Sequence, residues 1–338
     1  MRSGKSPLFR SLAVWTAPFL IFASALTVSS EEKSRVILKN DWLHTPKVAA
    51  IFLAREKGWF AAEGIDLDFQ DGRGSVANFQ LMGAKKLLFA TGDAATGATF
   101  ISQGLAVKIV WGYFQTSPLA VIYRQSSGIR TPKDLEGKRV SRAAAGAGEA
   151  IFPAMAERNQ VNLSKIQFVN TTPAARYTVL IQGDVDAMIG FFPNDVPFVR
   201  SKGAKVDFLR YADFGVNTLG TGIAVHNSVL TERADTLRGL LRAVARGVQY
   251  TLNHREEALA ALKKQAPLSM KDPKAAREVL DAYLSLLRTK HTQGKPLGWM
   301  AQEDWEETIG TLTRYGGLKN PLSVNRYYTN DFVSPDIM

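Results

Sequence analysis

The sequence predicts an α/β protein built as two lobes around a cleft. Three observations lead there. Short apolar strands alternate with helical stretches from Arg35 onward, the alternation restarts near Ser117, and the last third is mostly helical. Alternating strands and helices form sheets covered by helices on both faces, rich in parallel pairs.

The first unit opens with a strand in "RVILKNDW". A helix over 47–64 follows, with Val48, Ile51, Phe52 and Phe60 on its apolar face and Gly64 as its stop. "IDLDFQDG" alternates as a half-buried strand, and "SVANFQLMG" is a short helix behind a glycine turn. "KLLFATG", a helix in "DAATGATFISQG" and the strand "VKIVWGYFQ" complete the unit. In the second unit "SPLAVIYR", "KRVSRAAAG", "IQFVNTT", "VDAMIGFFP" and "VDFLRYADF" are strands, with helices over 149–159, 174–182 and 194–202. A last strand, "GTGIAVHN", leads into helices over 231–252, 255–265, 273–289 and 302–315. The expected divisions are a signal peptide over 1–30, a first lobe over 31–120, a second over 121–222, and a return to the first lobe over 223–338.

The opening thirty residues have the order of a secretory leader. Arg2, Lys5 and Arg10 precede an apolar run from Leu12 to Leu26, and Ala23-Ser24-Ala25 offers a small-residue cleavage pattern. The run is short of the roughly 20 apolar residues a membrane span needs. A periplasmic protein released from its leader is therefore expected. The 338 residues contain no cysteine, which excludes disulfides, thiolate metal sites, cysteine nucleophiles and a lipid-bearing cysteine. The net charge of +11 falls to about +8 without the leader's basic residues. Lysines and arginines are scattered, so the charge describes a diffusely basic surface and no nucleic-acid arm.

In open α/β sheets ligands bind beyond the carboxyl ends of the strands, and pockets favour domain interfaces. Asp41, Trp42 and His44 follow the first strand. There the indole can stack on a flat ligand while Asp41 and His44 bond its edge; equally, Trp42 can be core and His44 a helix entry. "DGRGS" follows the second strand, where Arg73, Gly74 and Ser75 make either an anion cradle or a plain tight turn. Gly92 and Asp93 follow the third, with Asp93 or Thr91 as helix cap. Gln115 and Ser117 follow the fourth, beside Tyr113 and Phe114. In the second unit Arg142 and Gly146 lie in "SRAAAGAGEA". A third glycine of a dinucleotide loop is missing there, because Ile151 occupies its place. "GFFPND" sets Phe191 and Asn194 opposite Trp42, with one of Phe191 and Phe192 facing the core.

Catalytic signatures are absent from the sequence. The four histidines, at 44, 226, 254 and 291, include no i, i+4 pair, and there is neither a G-x-S-x-G elbow nor a Walker loop. From the residues alone, the chain is a two-lobed exported ligand binder.

"DWLHTPKVAAIFLAREKGWFAAEGIDLDF", "DGRGS", "SGIRTPKDLEGKRV", "GDVDAMIGFF" and "YTNDF" resemble the nitrate/taurine/sulfonate and thiamine-pyrimidine solute-binding proteins. The resemblance runs from about Ile37 to Phe332. It implies a type II periplasmic binding protein fold, with two mixed sheets flanked by helices, and a monomer that delivers a small molecule to an ABC permease in the inner membrane. It implies a ligand such as a thiamine pyrimidine precursor, a related planar heterocycle or a small organic anion, and no cofactor. The lobes are expected to swing about 117–120 and 221–225. The same fold hosts a synthase that makes the thiamine pyrimidine from pyridoxal phosphate and histidine with iron. Gly92 and Thr96 stand where that enzyme carries its lysine and histidine, and its cysteine motif is missing, so the resemblance favours the binder.

Overall fold

The computed structural model describes residues 33–143, 147–172 and 175–338, together with Met1 and Gly4. Otherwise the expected leader lies outside the described residues, as does Gly146. Among the described residues ten strands form: β1 (Ser34–Lys39), β2 (Ile65–Gln70), β3 (Phe89–Asp93), β4 (Val107–Gly112), β5 (Leu119–Arg124), β6 (Arg139–Ala143), β7 (Gln167–Thr171), β8 (Ala187–Phe191), β9 (Val206–Arg210) and β10 (Thr221–His226). They make two five-stranded sheets, ordered β2-β1-β3-β10-β4 and β7-β6-β8-β5-β9.

Both sheets are mixed. β1 runs parallel to β2 and β3, and β6 runs parallel to β7 and β8. β10 is antiparallel to β3 and β4, and β5 is antiparallel to β8 and β9. Four of the five strands in each sheet run the same way, as the parallel-rich, mixed-sheet expectation has it, and β10 and β5 are the exceptions. The reason lies in the connectivity: β4 and β5 belong to different sheets, as do β9 and β10. A strand that enters a sheet from the other lobe arrives from the loop side and runs backwards. The two crossings span 113–118 and 211–220, a few residues before the expected swing points.

Local chemistry sets the helix boundaries. The helix expected over 47–64 breaks into Ala49–Glu56 and Trp59–Ala62, because Gly58 adopts φ +72° between them. The helix expected over 231–252 divides into Val229–Glu232 and Ala234–Thr251, and that over 273–289 ends at Leu284. In β2 the alternation is realised: Ile65, Leu67 and Phe69 are buried while Asp66 faces solvent.

Among the described residues three apolar clusters form the core. One lies under the first sheet and includes Leu38, Phe52, Phe60, Leu240 and Tyr283. A smaller one, with Ile122, Leu180 and Val199, lies under the second. The third joins Phe79 and Ile109 of one lobe to Leu119, Ile151 and Ile189 of the other through Trp305 and Leu312 of helix Gln302–Tyr315. The lobes also meet where helix Phe192–Ser201 packs on helix Pro273–Leu284. Among the described residues no helix is long and apolar enough to cross a membrane.

Candidate ligand-binding site

The carboxyl ends of β1 and β2 meet at one loop pair. The Trp42 carbonyl accepts the Gly72 N–H (3.0 Å) and the Asp41 carbonyl accepts the Gly74 N–H (2.8 Å). A Cβ at position 72 would fall 1.7 Å from the Asn40 carbonyl oxygen, so only glycine permits this approach. Asn40 braces the loop from behind by donating to the Trp42 carbonyl (2.7 Å). Thr91 accepts the Asp41 N–H (2.8 Å) and donates to the Asn40 side-chain oxygen (3.0 Å). The Asp41 side chain is 4% exposed and pairs with the equally buried Lys47 at 2.5 Å. With its loop fixed this way, the indole of Trp42 is aimed across the cleft.

The far wall comes from β6, β8 and the helices after them. Asp195 folds back from helix Phe192–Ser201 onto the end of β8. It accepts the Phe191 N–H (2.8 Å), the Tyr177 hydroxyl (2.7 Å) and Nη2 of Arg176 (3.0 and 3.1 Å). Arg176 also donates to the Ile189 carbonyl (3.2 Å), and its guanidinium lies 5.6 Å from the Trp42 ring centroid, bridging the cleft by a cation–π contact. Asn194 donates to the Tyr283 hydroxyl (2.7 Å), a second bond between the lobes. Glu149, in the first turn of helix Ala147–Arg158, accepts the Ala143 N–H at Oε1 (2.7 Å). Burial pushes its carboxyl above the ordinary glutamate value, against the pull of that N–H.

These groups enclose a narrow cavity lined by Asp41, Trp42, Lys47, Gly74 and Ser75 on one side. Ala143, Gly148, Glu149, Arg176, Gly190, Phe191, Asn194 and Asp195 line the other. It contains about 520 Å³ of empty space, mouth included. Its charges are three carboxylates (Asp41, Glu149 and Asp195) against two cations (Lys47 and Arg176), and each cation is already paired with an aspartate.

Of the residues singled out from the sequence, Asp41, Trp42, Gly74, Ser75, Phe191 and Asn194 line this cavity. The others lie elsewhere. His44 is wedged between Phe52 (4.9 Å) and Phe69 (4.7 Å), its backbone N–H held by Asp71, and burial pushes its pKa down despite Asp71. Arg73 is exposed. Gly92 is buried in β3 against the Phe79 ring, where a Cβ would come within 2.8 Å. Asp93 caps helix Ala94–Ser102 through the Thr96 N–H (2.7 Å), and its own N–H bonds the hydroxyl of Ser75 (3.0 Å). Gln115 donates to the Trp299 carbonyl (2.9 Å), and Ser117 accepts the Leu119 N–H (3.3 Å). Arg142 is exposed, stacked over Phe168 and bonded to Asn170. Tyr113 and Phe114, beside them at the end of the fourth strand, are core residues 2% exposed. Phe191 lines the cavity while Phe192 stacks on Phe208, the division that strand geometry requires.

Sequence reasoning passed over Lys47, Glu149, Arg176 and Asp195. Two of them carried a readable signal. Glu149 sits directly after the small-residue run behind β6, and Arg176 opens the helix behind β7. Both are charged residues just past a strand end, the position already searched in the first lobe.

Two sheets of this connectivity, crossed twice by the chain and facing each other over a cavity, define the periplasmic binding protein fold. The family model described as NMT1/THI5 like matches residues 45–258, more than half of the chain, and the chain belongs to that family. The riboflavin-binding protein RibY of Chloroflexus aurantiacus is 26% identical over 309 residues, covering 88% of this chain and 86% of its own. A formylaminopyrimidine-binding protein of Halalkalibacterium halodurans is 24% identical, with coverages of 90% and 92%. A 4-amino-5-hydroxymethyl-2-methylpyrimidine phosphate synthase of Legionella pneumophila is 24% identical, with coverages of 70% and 76%. Among solved structures, the alkanesulfonate-binding protein SsuA of Xanthomonas axonopodis pv. citri bound to MOPS superposes with a TM-score of 0.67 at 12% identity, covering 88% of this chain and 99% of that one.

Proposed function

We propose that this chain is the periplasmic solute-binding component of an ABC importer and that its solute is a small, neutral, planar heterocycle of the aminopyrimidine kind. The observation that carries this reading is the composition of the cavity. Trp42 and Phe191 supply ring faces from opposite lobes, and both cavity cations are already paired. A sulfonate or carboxylate needs an unpaired cation or a cluster of free N–H groups. Here both cations are already held by Asp41 and Asp195, and Glu149 adds a further carboxyl to the wall. A flat neutral ring avoids that repulsion and gains stacking worth about 1–3 kcal/mol.

Transport, rather than synthesis, is the activity the site supports. Among the described residues no group of three or more His, Asp or Glu side chains could hold a metal ion. Gly92, at the place of the synthase lysine, is shut into β3 behind Phe79. Delivery would use the two crossings as hinges. Contacts from both lobes exist only when the cleft is shut, and only such differential affinity shifts a protein toward its closed state.

Native mass spectrometry of the protein recovered from a periplasmic extract tests the reading. A released heterocycle of one or two rings is the expected result. A released sulfonate, a pyridoxal adduct on a lysine or bound iron would overturn it.

A further inference from the structure

Lys47 is a buried ammonium with unused donors. It lies in the turn Pro46–Val48, lines the cavity and is only 3% exposed. Its backbone is held in place: the Tyr113 hydroxyl donates to its carbonyl (3.1 Å), and the turn packs on helix Pro273–Leu284. An ammonium carries three N–H donors. Among the described residues one acceptor meets them, Oδ1 of Asp41 at 2.5 Å. The same holds in reverse for Asp41. Its Oδ1 takes Lys47 and lies 3.1 Å from the Thr91 hydroxyl, whereas among the described residues its Oδ2 accepts no hydrogen bond.

A buried polar atom left without a partner costs about 1–3 kcal/mol, and more when it is charged. Both residues line the cavity, so a molecule in the cavity is what completes their bonding. We propose that the Lys47–Asp41 pair reads the edge of the ligand. Nζ of Lys47 donates to a ring nitrogen while Oδ2 of Asp41 accepts from the adjacent amino group. The inference rests on the heterocycle-binding reading and adds to it the edge that is read and the two residues that read it.

The pair discriminates because it is neutral as a whole and yet places a donor beside an acceptor. Its complement carries an acceptor beside a donor, as an amino-substituted N-heterocycle does. A sulfonate or carboxylate carries acceptors alone, which Asp41 repels, and a ring without the amino group leaves Oδ2 unbonded. Sites built to hydrogen-bond a group reject analogues that lack it more strongly than apolar pockets reject a change of size. Asp41 and Trp42 are successive residues of one braced loop, fixed by Thr91, Asn40, Gly72 and Gly74. Edge and face recognition in the first lobe therefore come from one rigid piece of backbone.

Isothermal titration of the leaderless protein with 4-amino-5-hydroxymethyl-2-methylpyrimidine, its deaminated analogue and MOPS tests the assignment. Wild type should bind the aminopyrimidine at least about tenfold more tightly than the deaminated ring, and more tightly than MOPS. Asp41→Leu combined with Lys47→Met removes both charges together, which a fold tolerates better than the loss of one partner. The double variant should bind the aminopyrimidine roughly ten- to hundredfold more weakly, and its preference over the deaminated ring should shrink to within about threefold. Thermal melts establish that it is folded. Equal affinity of wild type for the two pyrimidines would overturn the assignment whatever the variant does. A folded double variant that keeps the wild-type preference would overturn it too: the pair would be structural, and the heterocycle reading would stand. Binding of neither pyrimidine by wild type, with or without binding of MOPS, would overturn the heterocycle reading and the assignment with it.

Discussion

Asp93→Asn should stabilise this protein at alkaline pH and have little effect in acid. Asp93 is wholly buried at the end of β3, and desolvation raises its pKa to about 6 against the Thr96 hydrogen bonds that oppose the shift. An unfolded aspartate titrates near 3.9. Between those values the folded state holds a proton that the unfolded state releases, so stability falls as pH rises from about 4 to 6 and stays at the lower level above. Two pKa units correspond to about 3 kcal/mol. Asparagine removes that penalty while its Oδ1 still accepts from Thr96, though a neutral acceptor forfeits about 1 kcal/mol of charge assistance. Its new Nδ2 replaces an oxygen that has no partner and faces Thr221 across the β3–β10 register, whose own hydroxyl is unpartnered. The net gain at pH 8 is about 1–2 kcal/mol, or roughly 2–4 °C in Tm. Differential scanning calorimetry at pH 4 and pH 8 measures it. A variant equally shifted at both pH values, or less stable at pH 8, would refute the reasoning.

Three other perturbations test the site and the cleft. Trp42→Ala should cost an aminopyrimidine at least about tenfold in affinity and MOPS little, by titration calorimetry; equal losses would remove stacking as its role. Tyr283→Phe deletes the hydroxyl that joins Asn194 across the lobes but keeps the ring against Phe114. Losing about 1 kcal/mol of closed-state stability should lower the closed-to-open ratio about fivefold, visible as a larger scattering radius; an unchanged radius counts against the contact as a latch. Gly190→Ala would set a methyl 2.0 Å from the Asp195 carboxylate and uncouple it from Arg176. Breaking a buried pair costs about 3–5 kcal/mol, so a loss under 1 kcal/mol in urea melts would show that the pair can re-form elsewhere.

The sequence by itself determined which segments are strands and where the pattern restarts. Alternation in "IDLDF", glycine punctuation at 58, 64, 72 and 74, and the order of strands and helices are local properties, written in neighbouring residues. It also narrowed the second lobe's aromatic wall to one of two phenylalanines, because adjacent strand residues point apart. Tertiary structure decided the rest. The antiparallel β5 and β10 follow from crossings between lobes, a relation among segments about 100 residues apart that no local pattern encodes. The burial of His44, Tyr113 and Phe114, the outward turn of Arg142 and the pairing of Lys47 with Asp41 and Arg176 with Asp195 likewise depend on what packs from elsewhere in the chain. The ligand chemistry rests on those pairings. A sequence counts charges, but only the fold brings them close enough to cancel.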